Sequence, residues 1–145
     1  MLPGRLHRNP SAETLAFHEA QLKLIEPGCG RNDPGVQAMF TSRFIPGDNA
    51  EQIASFNEQE RLSCGGQRAV AIARAKAGQD ARGLAAKVQA PTLVLHSEGN
   101  LAIPLALGHE LAASIPGARF ELMRSRNHVS FPQVPAFERM YDVIT

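Results

Sequence analysis

The apolar residues in the first part of the chain recur at helical spacing and are interrupted by turn signals. Leu15, Leu22 and Ile25 fall on one stripe of a first helix. Ser11 is placed to cap its start, and Pro27-Gly28 is placed to end it. The pattern therefore predicts an amphipathic helix over about residues 11–28.

Three more helices are predicted before residue 88. Residues 35–44 carry Val36, Met39, Phe40 and Phe44 at positions i, i+3, i+4 and i+8 of a helix. Asn49 and Gln52 resemble a capping box at the start of a third helix. Residues 67–77 form an Ala-rich fourth helix. Residues 1–87 are therefore expected to be a helical region.

The pattern changes after residue 88. Residues 92–96 form a short apolar run, which is typical of a strand buried on both faces of a parallel sheet. Residues 118–123 alternate, with Phe120 and Leu122 on one face. Helical spacing recurs over residues 104–115 and 134–144. Residues 88–145 therefore predict a β-α-β-α segment with parallel strands, within a single α/β domain spanning 1–145.

Composition and charge limit the possible partners. The 145 residues are 43% hydrophobic and 20% charged, as expected for one globular domain, and the formal net charge is +1. We therefore expect no nucleic-acid partner. The sequence has no apolar run long enough to cross a bilayer, and its first residues lack the apolar core of a secretory signal, so we expect no membrane partner and a cytoplasmic location.

The two cysteines do not indicate a metal site. Cys29 and Cys64 lie in Gly-rich turns, without CxxC spacing and without nearby histidine ligands. We interpret both as free thiols and expect neither a bound metal nor another cofactor.

Polar side chains follow the two predicted strands. Glu98 and Asn100 come directly after the first strand, and His128 lies in the loop after the second. In open parallel sheets, functional residues gather on the loops that leave the carboxyl ends of the strands. Adjacent parallel strands would bring these side chains together.

Residues 88–145 resemble the C-terminal part of α/β-hydrolases. The resemblance rests on "APTLVLH" at residues 90–96 followed by Pro104, on "IPGA" at 115–118, and on "NH" at 127–128, in that order and spacing. It implies that His128 is the catalytic histidine and that Asn100 occupies the position of the triad acid. Glu98, in the same loop, is a possible substitute acid. The implied fold is α/β: a helical cap, residues 1–87, followed by part of the hydrolase sheet.

Two features depart from the family pattern. The triad acid stabilises the imidazolium and holds the imidazole in the correct tautomer, which a neutral amide cannot do. Asn100 has an alternative interpretation as a turn residue with left-handed backbone. The sequence also contains no G-x-S-x-G motif, which carries the nucleophile in this family. If the chain corresponds only to the part of a hydrolase that follows the nucleophile, Met1 is an internal methionine or a reassigned start.

The cap resemblance bears on the substrate site. Residues 30–34 (GRNDP) and 39–46 (MFTSRFIP) resemble caps of hydrolase domains fused to transcriptional-regulator or nucleotide-cyclase modules. If so, Met39, Phe40 and Phe44 would line an acyl-binding pocket; otherwise they are core or subunit-contact residues.

The leading hypothesis is a hydrolase-like protein whose parent activity is cleavage of an ester or other acyl bond by a nucleophile, a histidine and an acid. The alternative is a noncatalytic regulatory or interaction module derived from such a hydrolase. A DNA-binding module is disfavoured, because no helix-turn-helix pattern is found. The expected partners are a small ester-like substrate or ligand and either a second copy of the chain or a chain that supplies the missing strands.

Overall fold

The computed structural model describes residues 12–77, 79–132 and 135–144. The chain divides into two compact units. The first comprises the residues up to Ser42 together with Asn49–Gln79, and the second comprises Arg43–Asp48 together with the residues from Asp80 onward. The predicted change of pattern near residue 88 lies close to the boundary at residue 80. Nothing in the hydrophobic pattern indicated that Arg43–Asp48 belongs to the second unit.

The first unit is built from helices. They are α1 (Ala12–Gly28), α2 (Pro34–Phe44, whose last residues belong to the second unit), α3 (Ala50–Ser63) and α4 (Gly66–Ala77). All four predicted helices are therefore confirmed, and the proposed cap residue Ser11 lies outside the described residues. The capping box of α3 is also confirmed, because the Asn49 side chain accepts from the Gln52 N–H at 2.9 Å and the Gln52 side chain accepts from the Asn49 N–H at 3.3 Å.

The core of the first unit lies where α1 meets α4. Leu22, Ile25 and Val70 are buried there, and Met39 and Phe40 pack against them. Leu15, which the pattern placed on the same stripe, is 45% exposed. It lies two helical turns before Leu22, and the buried cluster begins at Leu22.

The second unit contains the sheet. Its elements are α5 (Arg82–Ala85), β1 (Leu93–Ser97), α6 (Leu105–Ser114), β2 (Arg119–Met123) and α7 (Pro135–Ile144). β1 and β2 are parallel, with Leu93 paired to Arg119 and Ser97 paired to Met123. The predicted β-α-β-α order is confirmed. The short helix α5 was not predicted.

The two faces of the sheet carry different helices. Phe120 stacks on His109 of α6 with ring centroids 4.1 Å apart, and Glu121 accepts a hydrogen bond at 2.8 Å from Arg139 of α7. Phe120 and Glu121 therefore point to opposite faces of the sheet, as the alternation predicted. However, Leu122 is 42% exposed, whereas its neighbour across the register, His96, is buried and packs so close to α6 that a Cβ added to Gly108 would lie 2.6 Å from the His96 ring.

Among the described residues, no helix has the length and apolar character needed to cross a membrane.

Candidate active site

The loops that follow β1 and β2 are hydrogen-bonded to each other. The Glu98 N–H donates to the Met123 carbonyl and the Gly99 N–H donates to the Ser125 carbonyl, both at 2.9 Å. A Cβ at residue 99 would lie 2.9 Å from the Arg126 side chain, so the approach of the two loops requires glycine there. This contact sets the spacing between the two loops that carry the predicted site.

Asn100 and His128 meet across these loops. Asn100 Nδ2 lies 3.0 Å from His128 Nδ1. Asn100 Oδ1 accepts hydrogen bonds from the backbone N–H groups of Ala102 at 2.9 Å and Ile103 at 3.0 Å. Asn100 is therefore both a turn residue and the partner of the histidine. Its expected left-handed backbone is wrong, because no described non-glycine residue has a positive φ.

The hydrogen bonds of Asn100 select one tautomer of His128. Turning the amide over would present Nδ2 to two backbone donors and lose both bonds, so Nδ2 stays directed at the imidazole. Because Nδ2 can only donate, His128 Nδ1 must accept and the ring proton resides on Nε2. An aspartate at residue 100 would instead accept from Nδ1–H and leave the Nε2 lone pair free to take a proton.

The surroundings of His128 favour its neutral form. Although the residue is exposed, packing around the ring reduces its hydration and lowers the pKa of His128 below its usual value, and nearby His96 adds to this effect. Phe44 is buried and contacts the imidazole edge-on, with ring centroids 5.4 Å apart. These contacts favour neutral imidazole, with its proton on Nε2, as the form of His128.

A cavity of about 240 Å³ lies beside the Asn100–His128 pair. Sites for drug-sized ligands usually measure roughly 300–1,000 Å³, so this cavity suits a smaller molecule. Its wall is formed by apolar side chains together with a few polar residues near the strand ends: Leu95, His96, Ser97, Asn100, Ile103, Met123, His128, Ser130 and Met140.

The other predicted site residues are placed as follows. Glu98 is exposed, and its carboxylate forms no hydrogen bond within the described residues, so its role as a substitute acid stays a prediction. Met39 and Phe40 pack in the core of the first unit, and their role as pocket residues also stays a prediction. Cys29 and Cys64 are free. No group of three or more potential metal ligands occurs in the part of the chain that the structure describes.

Sequence reasoning missed the contacts made by Asp48 and by Asn127, the residue before His128. Asn127 is 3% exposed and donates from Nδ2 to Asp48 Oδ1 at 2.5 Å. The two residues lie 79 positions apart, so no local pattern could have joined them.

Comparison with solved structures shows which known fold this chain is similar to. An esterase from Exiguobacterium antarcticum superposes with a TM-score of 0.77 at 16% identity over 99% of this chain. An enol-lactonase from Burkholderia xenovorans LB400 gives 0.69 at 19% over 93%, and a hydrolase from Oleispira antarctica gives 0.65 at 19% over 78%. The chain has part of the α/β-hydrolase fold.

The resemblance to this fold, inferred from residues 88–145, is thereby confirmed. The chain spans about half the length of these structures: 51% of the esterase, 51% of the enol-lactonase and 40% of the hydrolase. No family model and no curated protein matches the sequence.

Proposed function

We propose that this α/β-hydrolase-like chain provides the histidine-bearing part of a site for ester or acyl-bond hydrolysis. His128 takes the position of the general base and Asn100 that of the acid. The observation that supports the proposal is the 3.0 Å contact between these side chains at the carboxyl ends of two adjacent parallel strands, beside a cavity. Two of the similar structures are an esterase and an enol-lactonase, which fits this substrate class.

The cavity favours a small, largely apolar ester. Leu95, Met123 and Met140 offer apolar surface, whereas the Nε2–H of His128 can donate to a carbonyl oxygen. Such a donor orients an ester but cannot remove a proton from an attacking group. We therefore expect ligand binding without rapid turnover.

The motif that carries the nucleophile in α/β-hydrolases is absent from this sequence. The sequence has no G-x-S-x-G, and the closest serine- or cysteine-containing Gly-rich turn, residues 63–66, lies between α3 and α4 instead of following a strand. A nucleophile from outside the described site would complete the parent reaction. We expect the protein to act in the cytoplasm and without a cofactor.

The second candidate function is a noncatalytic binding module, and a specific observation favours it. The two backbone hydrogen bonds to Asn100 Oδ1 hold His128 in the tautomer that cannot act as a base. In this case the ester-sized cavity is retained for recognition, and binding of the ligand is the functional event.

Titration with phenyl acetate tests the proposed function. We expect saturable NMR shifts at His128 and Met140, and no hydrolysis above that of His128→Ala. Ser130→Phe, which fills the cavity without removing the Asn100–His128 pair, should abolish the shifts. Absence of saturable binding to the wild-type chain would refute an ester site. Rapid hydrolysis that is lost in His128→Ala would refute the noncatalytic candidate.

We also propose that the chain pairs with a second copy or with a chain that supplies further strands. Within the described residues the sheet has two strands, so each strand is paired along one edge only. Unpaired edges tend to pair with other chains. Sedimentation equilibrium over a wide concentration range should detect self-association, and a monomer at the highest concentration would argue against the homodimer.

A further inference from the structure

The 44–48 loop, defined here as the segment that begins at the last residue of α2 and leads towards α3, contacts the segment that carries His128 at two places. At one place, the Phe44 carbonyl accepts from the N–H groups of His128 at 2.7 Å and Val129 at 3.3 Å. At the other, the Gly47 N–H donates to Asn127 Oδ1 at 2.9 Å, and Asn127 Nδ2 donates to Asp48 Oδ1. The backbone of the histidine is thus tied directly to this loop, and so is the residue before it.

The side chain of Asn127 connects the histidine segment to the 44–48 loop. It is 3% exposed, and each end of its side-chain amide has a partner in the 44–48 loop. Its own backbone N–H donates to Ser125 Oγ at 3.0 Å. Burial of an amide costs free energy unless its donors and acceptors are satisfied, so this amide favours one arrangement of the two segments.

Asp48 provides the second part of the contact. Oδ1 accepts from Asn127, whereas the buried Oδ2 has no hydrogen-bond partner within the described residues. Leaving a buried carboxylate oxygen without a donor is unfavourable. The hydrogen bond from Asn127 is therefore the described contact that compensates for placing this carboxylate against the histidine segment.

We infer that Asp48 and Asn127 are positioning residues for His128, which set the place and orientation of its imidazole through the backbone of residues 127–128. This inference rests on the proposed function only for the role of the imidazole. Neither residue touches the His128 ring nitrogens, so they act through the loop and not by proton transfer.

The experiment compares two disruptive variants, one conservative variant and one control. Asp48→Ala and Asn127→Ser remove the contact between the two side chains. Asp48→Asn keeps an oxygen that can accept from Asn127. Glu121→Ala is the matched control, because it also removes a carboxylate that accepts a hydrogen bond in the second unit, from Arg139 at 2.8 Å.

The readouts are amide hydrogen exchange at His128 and Val129 and the NMR titration of the His128 ring. In both disruptive variants we expect exchange to accelerate about fivefold, the effect of losing one net hydrogen bond. The His128 pKa, which burial lowers, should rise towards its usual value as the ring becomes hydrated. Asp48→Asn should restore wild-type exchange and titration, and Glu121→Ala should change neither.

Wild-type exchange and titration in either folded disruptive variant would overturn the inference. Loss of the folded state in both variants would also overturn it, because the pair would then be structural. Neither readout uses an ester. Failure of ester binding would therefore count against the proposed function and leave the positioning role intact.

Discussion

Replacing Asn100 with aspartate reverses the hydrogen bond that now determines the His128 tautomer. The change replaces Nδ2 with an oxygen at nearly unchanged volume. The other oxygen can still accept from Ala102 and Ile103, as Asn100 Oδ1 does at 2.9 and 3.0 Å. The new oxygen must accept, so the imidazole proton should move from Nε2 to Nδ1. The Nε2 lone pair then becomes available for base or nucleophile chemistry.

The size of the effect follows from the 3.0 Å separation of Asn100 Nδ2 and His128 Nδ1. Opposite unit charges at this distance attract by about 1.4 kcal/mol in water and about 5.5 kcal/mol at an effective dielectric constant of about 20, equivalent to roughly 1 and 4 pKa units. His128 is exposed, so the aqueous limit is the closer guide. We expect Asn100→Asp to raise the His128 pKa by about 1–2 units.

Nitrogen-15 NMR of the histidine rings measures both the tautomer and the pKa. Gln89→Glu is the matched control, because it makes the same amide-to-carboxylate change at an exposed position before the amino end of β1, away from the loops at the carboxyl end. We also expect Asn100→Asp to cleave p-nitrophenyl acetate faster than wild type, since the freed Nε2 can attack this activated ester. Gln89→Glu should match wild type in all three measurements.

An unchanged tautomer in Asn100→Asp would refute the argument that residue 100 controls the histidine. The reverse change supports this argument: replacing the triad aspartate of a serine protease with asparagine lowers turnover by about 10⁴, because the histidine is then held in the wrong tautomer. A wild-type protein already in the Nδ1–H form would equally refute the assignment made from the Asn100 hydrogen bonds.

Three further predictions concern the scaffold. Burial raises the pKa of Glu60 to about 7, so its contribution to stability is present below about pH 4.5, where the carboxyl is protonated in both states, and is lost as the pH rises through about 7. Glu60→Gln should therefore raise the denaturant midpoint at pH 8 and leave it unchanged at pH 4; an equal gain at both pH values would contradict this. Gly108→Ala should lower the free energy of unfolding by about 1–3 kcal/mol, because the new Cβ would lie 2.6 Å from the His96 ring. Gly83→Ala, where an added Cβ meets nothing within 4 Å, should instead raise the free energy of unfolding by up to about 1 kcal/mol, because alanine favours the helix more than glycine does, and equal losses in the two variants would exclude the steric explanation. Asn49→Ala should cost about 1 kcal/mol in chemical denaturation by removing the α3 capping box, and an unchanged midpoint would show that the cap contributes no net stability.

The elements were predictable because their signals are local. The helical spacing ahead of residue 78 and the capping pair Asn49 and Gln52 depend on neighbours within one or two turns. The apolar run located strand β1 for the same reason, but the expected burial on both faces is only partly met: Val94 and His96 are buried, whereas Leu93 and Leu95 are half-buried. Burial of individual residues was less predictable, because it depends on which distant segment covers each side chain: Leu122 has the alternation of a strand but is 42% exposed, whereas His96, its neighbour across the register, is buried.

The sequence by itself determined the order of helices and strands, the position of His128 and Asn100 after two parallel strands, and the absence of a G-x-S-x-G motif. Each of these depends on residue type and short-range spacing. The tertiary structure alone decided that Asn100 donates to the imidazole, and that Asp48 reaches Asn127 across 79 residues. Hydrogen-bond direction and long-range packing depend on how distant segments meet, and the chemical state of the histidine depends on both.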